Sequence, residues 1–206
     1  MKTILVTGSS RGIGRDICIS LSKKGHVVYA CSRKEINIPG CTGLVLDPGD
    51  LDSIKKVREY LKEKKVKIDG LVNNAGLLVN KPFLEIPEID FKNLAQVNWI
   101  GPALLIQKLF PILNQGAHVV NISSMGGFQG SEKFPGLAGY SSSKSALVAL
   151  TALCLGAVQT EMLKEAFPDY SAPTTSGQMG NYISEFVLFG HKSFAGRVLP
   201  VTISTP

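Results

Sequence analysis

Residues Thr3-Ile4-Leu5-Val6-Thr7 form an unbroken β-prone run that passes straight into a loop with glycines at 8, 12 and 14. An apolar run without alternation is what a strand covered on both faces requires. A helix-like stretch, Gly14 to Lys24, follows, with Ile13, Ile17 and Leu21 spaced for one face and Gly25 as its stop. In this setting each glycine has a purpose. Gly8 permits the tight turn off the strand, Gly12 lets backbone approach a pyrophosphate, and Gly14 lets the helix pack closely on the sheet. The helix N-terminus offers its N–H groups and positive dipole end to phosphates. Strand, loop and helix together predict nucleotide binding, with Ser10, Arg11 and Ile13 between the glycines.

The alternation continues along the chain. Strands are predicted at His26–Cys31, Leu44–Leu46, Ile68–Asn74, His118–Ser123, Ala152–Leu155 and Arg197–Thr202. Helices are predicted at Ser53–Lys64, capped by Asp50 or Asp52, at Phe91–Leu113 and at Ser141–Thr151. Strands alternating with helices imply right-handed βαβ units. The predicted fold is α/β: a doubly wound parallel sheet of about seven strands with helices on both faces. A length of 206 residues suits a single domain spanning 1–206.

Composition excludes several function classes. With 44% hydrophobic and 18% charged residues the chain is not disordered. Its net charge of +6 raises the question of nucleic acid. The densest basic cluster, Lys55 to Lys67, is interleaved with Glu59 and Glu63, as on a solvated helix face, and no aromatic ladder accompanies it. No nucleic-acid partner is expected. The longest mostly apolar run, Ala146 to Val158, is too short to span a bilayer, and the N-terminus leaves no room for a signal peptide. Cys18, Cys31, Cys41 and Cys154 show no C-x-x-C pair, so the expectation is free thiols in a reducing cytoplasm and no metal site.

Tyr140 and Lys144 are four apart, which on a helix puts them on one face. They follow the loop after a predicted strand that ends near Ser124, where doubly wound folds place their sites. A phenol with an ordinary pKa of about 10 is a poor acid–base at neutral pH. A nearby ammonium favours the phenolate, and a serine hydroxyl can hold a substrate oxygen beside it. Strand alternation puts Ser123 and Ser124 on opposite faces, so only one points inward. Asn98, inside the long helix, reads by itself as an asparagine bonding its own backbone.

Five motifs in order carry a family resemblance: Thr7 to Gly14, Asn73-Asn74-Ala75-Gly76, Asn98, Asn121-Ile122-Ser123-Ser124, and Tyr140-Ser141-Ser142-Ser143-Lys144. Over most of residues 1–160 the chain resembles the short-chain dehydrogenase/reductase family, within it the 3-oxoacyl-acyl-carrier-protein-reductase-like group. The resemblance implies a Rossmann fold and an NAD(P)-dependent oxidoreductase that interconverts a small-molecule carbonyl and an alcohol. It makes Tyr140 the general acid/base, and gives Lys144 the tasks of lowering the Tyr140 pKa and binding the nicotinamide ribose. Ser124, rather than Ser123, would orient the carbonyl, and Asn98 would support Lys144 through a water-linked relay.

The cofactor contacts implied are Gly8, Ser10, Arg11, Gly12, Ile13 and Gly14 in the loop, Asp47 at the adenine, Asn74, Ala75 and Gly76 along the cofactor, and Val158 and Thr160 at the nicotinamide. Ser32 stands where an NAD enzyme of this family has an acid, Arg33 follows it, and Arg11 is the family's other basic position. A planar guanidinium suits a ribose 2′-phosphate, so NADP(H) is favoured over NAD(H). A substrate lid is implied over about 161–190, and a homodimer or homotetramer through the helices carrying Asn98 and Tyr140.

One departure from the family matters. Lys144 should sit near the carboxyl edge of the sheet, and the next parallel strand should begin at the opposite edge, about 17–20 Å away. Helical residues 144–151 cover only about 10 Å. The expectation is a segment lost after about Thr151, by deletion or omission. A true deletion favours the alternative of a nicotinamide-binding scaffold or sensor without turnover. The tail Leu199 to Ile203 also lacks the glycine-rich ending of the family's acyl-chain reductases, so no substrate is named.

Overall fold

A computed structural model describes residues 1–202; Ile203, the last residue of the tail considered above, lies outside them. In chain order the elements are β1 (Thr3–Thr7), α1 (Gly12–Lys23), β2 (Val27–Ser32), β3 (Thr42–Val45), α2 (Leu51–Glu63), β4 (Ile68–Asn73), α3 (Glu88–Ala95), α4 (Gly101–Leu109), β5 (Leu113–Ser124), α5 (Ala138–Val148), β6 (Leu153–Leu155), β7 (Val158–Gln159), α6 (Glu161–Ala166), β8 (Thr174–Thr175), α7 (Ser176–Phe189), α8 (His191–Phe194) and β9 (Leu199–Val201). The seven-stranded sheet has the order β3-β2-β1-β4-β5-β6-β9, and its pairs are parallel. The strand order reverses between β1 and β4, which opens a crevice at their carboxyl ends.

Both faces of β1 are covered, as its unbroken apolar run requires. Ile4 and Val6 share one core with Ile17 and Leu21 of α1 and Ile183 and Val187 of α7. Leu5 shares the other with Ile54 and Leu61 of α2 and Leu105 and Leu109 of α4. The cap of α2 is Asp50, whose side chain accepts from the Asp52 N–H at 2.9 Å. Gly25 takes φ +78 after α1, the left-handed turn expected of a helix stop.

The structure departs from the sequence expectations in five places. The helix expected as one piece over Phe91–Leu113 starts at Glu88 and is interrupted by a π-helical turn, Gln96–Ile100. β5 is longer than His118–Ser123, with a register shift against β4 between Ile68 and Gly70. The helix expected at Ser141–Thr151 lies three residues earlier, at Ala138–Val148. A separate parallel pair, β7 with β8, lies outside the main sheet.

The fifth difference is the crossover. It is continuous and packed, and no lost segment is needed to close it: Asn121 donates to the carbonyls of Leu150 at 3.1 Å and Thr151 at 2.9 Å, and Ala152 and Leu153 are buried. The geometric expectation failed because β6 does not run the depth of the sheet. It pairs only Leu153–Leu155 with Ile122–Ser124, at the carboxyl end of β5. The turn into it is strained, with the β-branched Thr151 at φ +64.

No helix among the described residues is long and apolar enough to cross a membrane. No group of three or more potential metal ligands occurs among them either.

Candidate active site

The carboxyl ends of β1 and β4 are fastened to each other by side chains. Thr7 Oγ1 accepts from the N–H groups of Asn74 at 3.1 Å and Ala75 at 3.0 Å. Asn74 Nδ2 donates back to the carbonyls of Thr7 at 3.0 Å and Gly8 at 3.2 Å. Gly8 and Gly12 have φ +69 and +55, conformations that disfavour any side chain. The N-cap of α1, Arg11, makes no side-chain capping bond. The first N–H groups of a 12-residue helix are therefore open to an anion beside a loop stripped of side chains. That cradle fits the pyrophosphate of a dinucleotide.

From this loop a cavity of about 360 Å³ runs across the sheet edge. Its lining includes Gly8, Ser10, Arg11, Gly12 and Ile13 at the loop, Ser32, Arg33 and Asp47 at one end, and Asn74, Ala75 and Gly76 along the middle. Ser124, Tyr140, Lys144, Val158 and Thr160 line the other end. Of the residues expected from sequence, Gly14 and Asn98 do not line it. Gly14 packs beneath the loop against the Gly8 carbonyl. Asn98, fully buried in the π-helical turn, braces the site from behind.

Asn98 does not bond its own helix backbone through its side chain. Its Oδ1 accepts from the Leu77 N–H at 2.7 Å, and its Nδ2 donates to the Leu77 carbonyl at 2.8 Å and to Ser143 Oγ at 2.9 Å. It thus ties the strand exit after β4 to α5. Across Gly76 it approaches Lys144: a Cβ on that glycine would lie 3.4 Å from Lys144 Nζ and 3.5 Å from Asn98 Oδ1.

The serine pair separates as alternation predicts. Ser123 Oγ donates to the Lys144 carbonyl at 2.9 Å and anchors α5. Ser124 Oγ accepts from the Gly126 N–H at 3.1 Å and is close enough to the Tyr140 hydroxyl to favour its phenolate. Lys144 is 4% exposed; its Nζ donates to the Ile122 carbonyl at 2.8 Å and lies 5.9 Å from the Tyr140 ring centre. The resemblance implied that Lys144 lowers the Tyr140 pKa. Here burial pushes the phenol up to about 12, opposed by the Ser124 side chain, and the Lys144 ammonium donates to a carbonyl.

Burial also pushes the Lys144 ammonium down to about 8 from an ordinary 10.5. Between those values the unfolded chain binds more protons than the folded one, so this group makes stability rise with pH there. Below about 8 both states are protonated and the burial penalty is fully present. Lys144→Met is therefore expected to unfold at a higher temperature than the parent at pH 7, the gap closing as pH passes from 8 to 10.5. Thermal unfolding across that range checks this, and a gap independent of pH would contradict it.

The apolar end of the cavity is formed by Met125, Phe134 and Leu137 on one side and Met162, Leu163 and Phe167 on the other. Thr160 caps α6, accepting from the Leu163 N–H at 3.2 Å. The C-terminal end of α6 is held down by Asn80 Nδ2 donating to the Ala166 carbonyl at 2.8 Å and by Arg11 on Glu165. Of the range 161–190, only the first part overlies the cavity. Met179, Ile183 and Val187 of α7 are core residues.

The Arg11–Glu165 pair was not readable from the sequence, since it joins residues 154 apart. The guanidinium donates to both carboxylate oxygens, at 2.7 and 3.4 Å. A phosphate at Arg11 must compete with Glu165 for the same fork. Glu165→Gln is expected to tighten NADPH binding by about two- to fivefold and to leave NADH binding unchanged, an exposed pair being weak. Titration with both cofactors measures it; equal effects on the two would detach Arg11 from the phosphate. Thr7 and Ser143 were also missed as individual positioning residues, although both lie inside motifs that the sequence displays.

The family model for short chain dehydrogenases matches residues 2–161. The chain belongs to the short-chain dehydrogenase family. Members of that family are NAD(P)-dependent oxidoreductases acting on carbonyl and hydroxyl groups. Among relatives of this short-chain dehydrogenase, the NADPH-dependent pterin aldehyde reductase of Arabidopsis thaliana is 29% identical over 204 residues, covering 84% of this chain and 83% of the relative. The 3-oxoacyl-acyl-carrier-protein reductase FabG of Buchnera aphidicola is 32% identical over 157 residues, covering 71% of this chain and 63% of the relative. The match thus spans less than two thirds of the second relative's length. The ligand-free aldohexose dehydrogenase of Thermoplasma acidophilum superposes with a TM-score of 0.86 at 20% identity, over 100% of this chain and 97% of that one, a likeness of fold.

Proposed function

We propose that this short-chain dehydrogenase is an NADP(H)-dependent oxidoreductase that reduces a carbonyl, and oxidises the corresponding alcohol, with Tyr140 as general acid/base. The observation carrying this reading is that Ser124, Tyr140 and Lys144 meet at one end of a single cavity that the open glycine loop also lines. NADP(H), when bound, supplies or accepts the hydride. Ser124 would hold the substrate oxygen against the Tyr140 hydroxyl, which lines the same end of the cavity. A phenol that keeps its proton at neutral pH is in the form needed to protonate an alkoxide. Lys144 would bind the nicotinamide ribose, and Asn98 would position it by fixing Leu77 and Ser143. Thr160 and Val158 would flank the nicotinamide.

The preference for the phosphorylated cofactor rests on the far end. Ser32 carries no charge, and Arg33 lines the cavity with its side chain in no ion pair or hydrogen bond among the described residues. An unpaired guanidinium beside an uncharged strand end suits a 2′-phosphate. The apolar walls suit a small-molecule substrate with an apolar flank. Phe91 and Trp99, both partly exposed on the helices carrying Asn98, support a homodimer or homotetramer through that face.

The test pairs cofactor titration with turnover. NADPH should bind more tightly than NADH, and NADPH should be consumed with a panel of apolar aldehydes and ketones. NADPH binding with no turnover across the panel would favour the non-catalytic alternative. In that case the Lys144 bond to the Ile122 carbonyl would be the resting arrangement of a scaffold or sensor.

A further inference from the structure

Two of the cysteines lie against each other at the edge of the cofactor loop. Cys18 is on α1 and has no exposed surface; Cys41 is half-buried directly before β3, at the end of the turn that leads into it. Cys41 Sγ donates to the Cys18 carbonyl at 3.7 Å, and Cys41 packs against the apolar cluster that holds Cys18. The turn that carries Cys41 is pressed onto α1. Ser22 Oγ donates to the Pro39 carbonyl at 3.4 Å, and a Cβ on Gly40, at φ +76, would lie 2.2 Å from that hydroxyl. Hydrogen bonds from Cys18 and Ser22 hold the Cys41 thiol below the usual range, whereas contact with Cys41 and burial hold the Cys18 thiol above it. One member is thus an accessible nucleophile and the other a protonated partner within reach.

The pair touches both halves of the cofactor cradle. Cys18 Sγ donates to Ser9 Oγ at 3.3 Å. Ser9 is the pivot of the glycine loop: its N–H donates to the Cys31 carbonyl and its hydroxyl to the Val6 carbonyl, each at 2.9 Å. Cys41 ends the segment that begins at Arg33, on the cavity wall. Cys31 and Cys154 are buried in the sheet.

We propose that Cys18 and Cys41 are a redox-active pair, a modification site at which a low-molecular-weight disulfide of the glutathione class closes a protein disulfide that weakens NADP(H) binding. The Cys41 thiolate attacks one sulfur of the reagent, forming a mixed disulfide and expelling one thiolate. Cys18 loses its proton and attacks the Cys41 sulfur, expelling the second. Two protein thiols are oxidised by two electrons, one reagent disulfide is reduced to two thiols, and the two protons released are taken up by the expelled thiolates. Closure removes the thiol donor from Ser9 and fixes the segment after Arg33 to α1. The chemistry stands on the pair alone; its effect on the cofactor rests on the function proposed above.

The test is a titration of the reduced chain in glutathione buffers of increasing oxidising poise, with peptide mapping after alkylation. The expected product links the Cys18 and Cys41 peptides, with Cys31 and Cys154 recovered as thiols on unfolding. Cys18→Ser should trap glutathione on Cys41, and Cys41→Ser should leave Cys18 unmodified in the folded chain. NADPH affinity should fall by about tenfold on oxidation of the parent and stay constant for Cys41→Ser. Recovery of both thiols at every poise, or random pairing among all four cysteines, overturns the site. A formed disulfide with unchanged NADPH affinity overturns its regulatory half. A reduced chain that does not bind NADPH counts against the proposed function, and the mapping result still decides the pair.

Discussion

Replacing Tyr140 by Phe is expected to lower kcat for carbonyl reduction by about a thousandfold while the dissociation constant of NADPH changes by no more than about twofold. The hydroxyl removed meets the Ser124 side chain and no backbone group, so the loop and helix that carry it lose no anchor. The ring keeps its shape, and no apolar volume is lost. What disappears is the proton that burial keeps on the oxygen up to a pKa of about 12. The same shift gives the two reaction directions different pH profiles. Reduction needs the protonated phenol and should be flat through neutral pH. Alcohol oxidation needs the phenolate and should climb steadily as pH rises. Substantial turnover by the Phe variant would remove Tyr140 from its role, and coincident profiles for both directions would show that another group moves the proton.

Gly14→Ala is expected to abolish measurable NADPH binding and to lower the unfolding temperature by about 5–10 °C. A Cβ at this position would stand 2.3 Å from the Gly8 carbonyl oxygen, 2.9 Å from its carbon and 2.4 Å from Asn74 Nδ2. Two of those atoms are backbone, and the third is the amide that fastens β1 to β4. None can yield without opening the cradle. Gly177→Ala is the control. That glycine is in the first turn of α7, with open space where its Cβ would be, so the change should be neutral or stabilising by up to about 1 kcal/mol. Equal losses in the two variants would refute the steric argument; calorimetry and cofactor titration read both effects.

The parts of the site that the sequence displayed are those set by local geometry. The glycine spacing dictates a turn and a bare helix end, so Gly8, Gly12 and Gly14 needed no tertiary information. Tyr140 and Lys144 share a helix face by spacing alone, and Ser123 and Ser124 part company by strand alternation. What stayed hidden depends on partners far apart in the chain. Arg11 meets Glu165 only because α6 folds back over the loop. Cys18 meets Cys41 only because the turn before β3 lies on α1. Taken without the resemblance, Asn98 suggests only an asparagine bonding its own backbone, because nothing local announces a π-helical turn. The acceptor that the Lys144 ammonium takes, the Ile122 carbonyl, was also out of sight, because spacing says that two groups are neighbours and not what each of them bonds. The crossover was misjudged because a typical strand length was assumed for a strand of three residues.

That short strand has a consequence for how the molecule breathes. Three residue pairs join β6 to β5 and three join it to β9, whereas β1 is paired with β2 along all five of its residues. The rim of the sheet is thus sewn on by a brief seam, next to a strained Thr151. Amide hydrogens at Leu153–Leu155 and Leu199–Val201 should exchange through sub-global opening, well before those of Ile4–Val6. The cavity's apolar walls hang from this rim, and the glycine loop hangs from the slow-exchanging centre. The two ends of one cavity therefore belong to different cooperative units, and the substrate end can loosen while the cofactor end stays closed.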